Sequence, residues 1–281
     1  LKKYLSDHKT WIALPLCLSP DAVKRTYYHF VFAVLLPLLN LARRGLFSVE
    51  DQTIQIESCG LFDGILRELD NRRILNISIR GAGEIRAMLQ RNAYPVFYLD
   101  SLETYQYYGH GFAPRPATSD GDLFRSIADF TKPFFLDCDQ LPPPAEIIVI
   151  NRKRFAQNQG ACVRTIPNAE ELVTALETSG YTCHYTALEG TTLKQQIDLF
   201  APAKIIIAQH GSALSNIIWS SPAVRVIELV PAMKQGPDWQ YFSILCDSLD
   251  LERAEVYQEG PFDDVDPSVI LKTLETFKTV V

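Results

Sequence analysis

Little in this chain of 281 residues points to a metal, a nucleic acid or a membrane. Its six cysteines, Cys17, Cys59, Cys138, Cys162, Cys183 and Cys246, are scattered without a Cys-x-x-Cys pair or zinc-ligand spacing, so buried free thiols are expected. There is no basic excess: 27 Lys and Arg against 33 Asp and Glu leave a formal charge of -6, which argues against a phosphate-tracking surface for nucleic acid or anionic lipid. Long apolar runs are missing too. The longest, Phe30 to Leu39, is broken by Pro37 and falls well short of the ~20 residues that span a bilayer, and Trp11 to Leu18 is shorter still. Internal repeats and low-complexity tracts are absent. The one glycosylation sequon, Asn76-Ile77-Ser78, sits inside the apolar run ILNISI and reads as strand rather than loop. A soluble, cytoplasmic protein without stable membrane insertion is expected; the start at Leu1 also leaves room for an upstream anchor or signal and a secretory-pathway location.

What is present is a core-forming composition, 47% hydrophobic, enough for one large or two modest domains. Apolar strand runs at 53–57, 74–79, 147–150, 182–185, 204–208 and 225–230 alternate with helical patterns at 28–44, 62–69, 83–91, 169–178 and 193–200, the order of parallel βαβ units. The triproline in LPPPAE, 141–146, favours an extended linker, because each ring fixes φ and restricts the residue before it. The expected division is 1–141, 142–262 and a closing helical stretch, 263–281.

The densest information lies in AKIIIAQHGSALSNIIWSSPAVRVIELVP, residues 203–231. Its Ile-rich run reads as a strand buried on both faces, and His210-Gly211 ends it. Ser212 is placed to cap a helix through Asn216, whose free N–H groups and positive dipole end suit an anion such as phosphate. The next strand delivers Glu228 to the same sheet edge, where a carboxylate can accept hydrogen bonds from ribose hydroxyls. The residue types alone allow a blander alternative, a plain His-Gly turn with Glu228 paired to a buried Arg. Asn151-Arg152-Lys153-Arg154 follows the strand IIVI and should bring a guanidinium fork to that edge.

Four ordered pieces, IIVINRKR at 147–154, VRTIPNAEEL at 163–172, the block from Leu193 to Trp219 and VIELVP from 226, resemble the carboxyl-terminal half of family 61 glycosyltransferases. TYYHFVFAVLLPLL, 26–39, is similar to the family's Tyr-His-Trp/Phe segment. The resemblance implies an α/β, GT-B-like fold of two facing Rossmann-like domains with a cleft between them, and an inverting transfer from a UDP-sugar to a glycan or glycoprotein hydroxyl. Xylose is the first choice of sugar and N-acetylglucosamine the second; no cofactor is implied, and no nucleic-acid partner. The domain of 1–141 then takes the acceptor, that of 142–262 the donor, and the closing helix crosses back to the first domain. Arg152 and Arg164 match the family's arginine positions, with Arg154 as third choice. Donor contacts are expected from these three with His210, Gly211, Ser212, Ala213, Asn216 and Glu228. Asn168 also matches, although a helix N-cap explains it equally well.

An inverting transfer needs a base for the acceptor hydroxyl. Many relatives carry an acid four residues after the His of the Tyr-His segment; here that position is Ala33, and the spacing to Pro37 is one residue longer. Asp63, on a glycine turn after a strand, is therefore the expected base and His29 the alternative. Tyr28, Tyr107, Tyr108 and His110 are candidates to meet the acceptor, with core packing as the competing use of such rings. Asp137-Cys138-Asp139 keeps open a GT-A-like transferase with a metal on two carboxylates. Ala33 keeps open an inactive nucleotide-sugar binder.

Overall fold

A computed structural model describes residues 7–15, 26–99, 102, 105–108, 111–114, 120–136, 145–152, 165–232 and 240–278. The first half builds a sheet from β1 (Thr10–Pro15), β2 (Thr53–Glu57), β3 (Ile77–Arg80) and β4 (Val96–Leu99), in the order β3-β2-β1-β4. All its pairings are parallel. A small antiparallel ribbon follows, β5 (Tyr105–Tyr108) with β6 (Gly111–Pro114). The second half builds a sheet from β7 (Ile147–Asn151), β8 (Cys183–Ala187), β9 (Ile205–Gln209), β10 (Arg225–Pro231) and β11 (Glu252–Gln258), in the order β11-β10-β9-β7-β8 and again wholly parallel. The two Rossmann-like α/β domains expected from the resemblance are therefore present. Strands β7 and β9 are buried at every residue, as their unbroken apolar runs require between two helical layers.

The helices are α1 (Tyr27–Phe30), α2 (Leu36–Arg43), α3 (Asp63–Asn71), α4 (Ala82–Gln90), α5 (Asp120–Thr131), α6 (Ala169–Thr178), α7 (Leu193–Phe200), α8 (Tyr241–Ser248) and α9 (Pro267–Lys278). Between α1 and α2 the chain makes one π turn, Val31–Leu35, in which Leu36 N–H reaches back to the Val31 carbonyl. A single extra residue is housed this way without ending a helix. No helix among the described residues is long and apolar enough to cross a membrane.

One apolar core runs through both halves. Phe30, Phe32, Leu36, Ile54 and Ile56 from the first half cluster with Ile148, Ile150, Ile206, Ala208, Val226, Trp219 and Phe242 from the second. A polar seam closes the same boundary. Glu68, on α3, accepts hydrogen bonds from the N–H groups of Leu193 (2.6 Å) and Lys194 (3.4 Å), meeting the positive end of α7 with a carboxylate. The Tyr27 hydroxyl meets Gln196 and lies 3.0 Å from Asn216 Oδ1. Burial pushes that phenol far above its ordinary pKa and keeps it neutral.

The closing helix does not return to the first domain as expected. Ile270, Leu274 and Phe277 form an apolar stripe that packs with Leu172 and Leu176 of α6 on the outer face of the second sheet. Its place at the boundary is taken by α5, where Phe124 meets Phe32 and Arg125 donates to the Leu249 carbonyl. Gly121 allows that approach: a Cβ there would fall 1.7 Å from the Ser248 carbonyl oxygen.

Candidate functional site

In open parallel sheets ligands collect outside the carboxyl ends of the strands, where the strand order reverses. Here those points fall between β1 and β4 in the first sheet and between β7 and β9 in the second. Arg152 and His210 follow β7 and β9 directly, while α1, with Tyr28 and His29, is the first helix after β1 among the described residues. Aromatic rings link α1 to His210. Tyr28 packs against His29 (centroids 5.5 Å apart), Tyr241 (5.3 Å) and Phe242 (6.1 Å), and Phe242 meets His210 edge-on at 5.2 Å. Tyr28 is buried, so its ring is wall rather than open platform.

The sequence made Glu228 a neighbour of the phosphate edge; the structure shows how it is used. Glu228 lies opposite Ala208 in the β9–β10 register, so His210, two residues on, shares its face. The His210 N–H bonds to the Leu229 carbonyl at 2.8 Å, and its Nδ1 lies 2.6 Å from Glu228 Oε1. Both side chains are buried. A carboxylate oxygen accepts, so the Nδ1 that meets it carries a hydrogen, and the contact fixes the ring's orientation. Among the described residues Glu228 is thus paired with a histidine, not an arginine.

The helix after His210 is a 3-10 helix, Ser212–Trp219, with Gly211 rather than Ser212 at its cap position. Its first internal bond runs from Leu214 N–H to the Gly211 carbonyl at 2.9 Å. The N–H groups of Ser212 and Ala213 lie ahead of that bond, on residues that are only half-buried. Asn216, expected at the donor, is wholly buried instead. Its Oδ1 accepts from Trp219 Nε1 at 3.1 Å and from Tyr27, and its Nδ2 donates to the Ala213 carbonyl at 3.2 Å, so it braces the helix from inside.

Asn151 is a site residue that sequence reasoning quoted only in passing. Its Oδ1 accepts from the N–H groups of Arg152 (2.9 Å) and Ile166 (2.9 Å) and from the Thr165 hydroxyl (3.0 Å), and its Nδ2 donates to the Ile166 carbonyl (3.0 Å). The chain leaving β7 is thereby pinned to the chain entering α6. Asn168 makes no side-chain cap; its amide exchanges two 2.9 Å bonds with the backbone of Val265.

Asp63 stands at the carboxyl end of β2, one strand away from the reversal. Its Oδ1 accepts from Cys59 N–H at 2.6 Å and its Oδ2 from the Ser58 hydroxyl at 2.7 Å. His29 is half-buried beside the ring bridge. Arg154, Arg164, His110, Asp137 and Asp139 lie outside the described residues, and Tyr107 and Tyr108 are placed by backbone alone, on β5. Among the described residues no cluster of His, Cys, Asp or Glu is placed to hold a metal ion. A cavity of about 300 Å³ beyond β11 is lined by Glu259, Asp263, Asp264 and Asp266, whose charges repel a diphosphate.

A solved structure, that of E. coli ADP-heptose LPS heptosyltransferase II, aligns over 96% of this chain and 98% of its own at 12% identity, with a TM-score of 0.48. No curated protein matches the sequence. The family model for glycosyltransferase 61 matches residues 27–227, a span that takes in α1, the β7/β9 reversal and His210 and ends one residue before Glu228. The chain belongs to glycosyltransferase family 61.

Proposed function

We propose that the protein transfers a sugar, with inversion and without a metal, from a UDP-sugar held at the β7/β9 reversal to a glycan hydroxyl presented from the first sheet. Xylose is the first donor choice and N-acetylglucosamine the second. The observation that carries this reading is the convergence at one strand end of a helix start, Arg152, and a histidine whose ring is fixed from behind by Glu228. In the reaction the acceptor oxygen gives its proton to a base and attacks the anomeric carbon as the bond to the diphosphate breaks. Charge then gathers on the leaving phosphate. The N–H groups of Ser212 and Ala213 answer that charge, the role of a preorganised anion hole, and His210 adds an Nε2–H donor when its ring carries a second hydrogen, with Glu228 holding Nδ1–H.

For the base we now favour His29 over Asp63. His29 lies on α1 against Tyr28, whose ring reaches Phe242 and through it His210, whereas both carboxylate oxygens of Asp63 already hold the turn that starts α3. Loss of a positioned base costs ~10² to 10⁴ in rate, with donor binding nearly untouched. His29→Ala should therefore abolish transfer and keep UDP affinity, while Asp63→Asn should keep transfer. The reverse result returns the role to Asp63. Turnover with a full panel of UDP-sugars and glycan acceptors in excess chelator tests the rest: activity only with added metal overturns metal independence. An inactive binder, favoured by the wholly buried Ala33 in place of an acid, would bind UDP and never turn over.

A further inference from the structure

One polar group at the carboxyl end of the second sheet is unanswered among the described residues. Gln209, the last residue of β9, alternates to the outer face with Ile205 and Ile207, while His210 turns to the inner face with Glu228. Its side chain is only 6% exposed. Nε2 donates to Gln258 Oε1 at 2.8 Å and to the Pro261 carbonyl at 3.2 Å, and lies 3.5 Å from the Thr165 carbonyl. Oε1 has no hydrogen-bond partner among the described residues.

The orientation of this amide is determined by its neighbours. Turned over, its carbonyl would face three acceptors. Gln258 cannot turn to compensate, because its own Nε2 donates to the Asp263 carbonyl at 3.0 Å. Gln209 thus presents a fixed acceptor, buried and unpaired, one residue from the histidine at the β7/β9 reversal. A buried carbonyl without a donor is unfavourable and uncommon, and a bound group that donates would remove the penalty.

Resting on the donor-site reading above, we propose that Gln209 Oε1 accepts a hydrogen bond from the nucleoside half of the donor, from a ribose hydroxyl or from the imide N–H of a pyrimidine base. The diphosphate cannot fill this role, since at neutral pH its oxygens only accept. The division of labour follows the sheet's two faces. The inner side of β9, with His210 and the 3-10 helix start, meets the phosphates; the outer side, with Gln209 held by Gln258 and Pro261, meets the nucleoside.

The test compares UDP with N3-methyl-UDP, 2′-deoxy-UDP, 3′-deoxy-UDP and inorganic diphosphate by calorimetry, on the wild-type protein and on Gln209→Met. Wild type should bind one of the three analogues at least fivefold more weakly than UDP. Gln209→Met should bind that analogue and UDP alike, with diphosphate affinity unchanged. A variant that discriminates as wild type does overturns the assignment of Gln209 and leaves the donor site standing. Failure of wild type to bind UDP overturns the donor site itself. Should Gln209→Met not fold, the wild-type series decides alone: equal affinity for UDP and all three analogues refutes the proposal, and a fivefold loss on one upholds it.

Discussion

Replacing Glu228 by Gln asks whether this carboxylate meets the donor's ribose or works through His210. The 2.6 Å contact between Glu228 Oε1 and His210 Nδ1 joins two groups of which at most about a twentieth is exposed, so solvent screens it little. A hydrogen bond to a charged group contributes ~1.5 to 3 kcal/mol and a neutral one ~0.5 to 1.5. The amide of Gln can still accept from Nδ1–H, so the substitution removes roughly 1 to 1.5 kcal/mol of ring orientation. Binding cannot lose more than the ring's preorganisation was worth, which caps the effect at about tenfold in Kd. Because that loss passes through the imidazole, it should fall equally on UDP and on inorganic diphosphate in parallel calorimetric titrations. Glu228→Leu, which leaves Nδ1–H buried without an acceptor, should lose a further ~1 to 3 kcal/mol of stability in urea. A Glu228→Gln protein that binds diphosphate normally but UDP weakly would refute the argument and assign Glu228 to the ribose.

Two more outcomes follow from the packing. Asn151→Ala removes the acceptor for a buried N–H group, a half-buried one and the Thr165 hydroxyl, so it should destabilise the protein by ~2 to 3 kcal/mol in urea; a loss below about 0.5 kcal/mol would show that the pin is dispensable. Burial, reinforced by Glu228 and Asp247 against Arg253, pushes the Cys246 thiol up to about 12; burial with Glu177 and Glu146 pushes Cys183 up to about 11. A raised thiol pKa means less thiolate at every pH below it, roughly 10⁻⁴ and 10⁻³ at pH 8. Mass mapping after iodoacetamide treatment of the folded protein should find both unlabelled at pH 8, and rapid modification of either at that pH contradicts the environments described.

The strands best legible in the sequence were those that a parallel sheet buries on both sides. IIVI and IIIA have no polar residue to confuse the period, and α6 and α7 begin and end where their apolar spacing does. Edge strand β11, ERAEVYQ, was missed because its outward positions carry charge, and β1 because TWIALP is short and ends on proline. The one-residue excess before Pro37 was visible as a spacing; that it becomes a π turn rather than a break depends on Val31 to Leu35 being wholly buried, where a loop would strand its backbone groups. The His210–Glu228 pair was legible only as two residues on neighbouring strands. Eighteen residues separate them, and their contact depends on the pairing of Glu228 with Ala208, which no local pattern encodes. Gln209 gave no signal, since a lone amide at the end of an isoleucine run looks like the start of a loop.

The shared core bears on how this enzyme can be recombined with its relatives. The triproline looks like the natural place to exchange one half for another and so change the sugar used, but side chains on α1, α2 and α5 form part of the wall against which the second sheet's inner face is packed. A chimera joined at 141–144 would set foreign helices against Trp219, Phe242 and Ile206 and sever the contacts of Glu68 with α7 and of Tyr27 with Asn216. The transplantable unit is therefore discontinuous in sequence: residues 145–278 together with 26–43, 63–71 and 120–136, so that the second half travels with the surface that fits it.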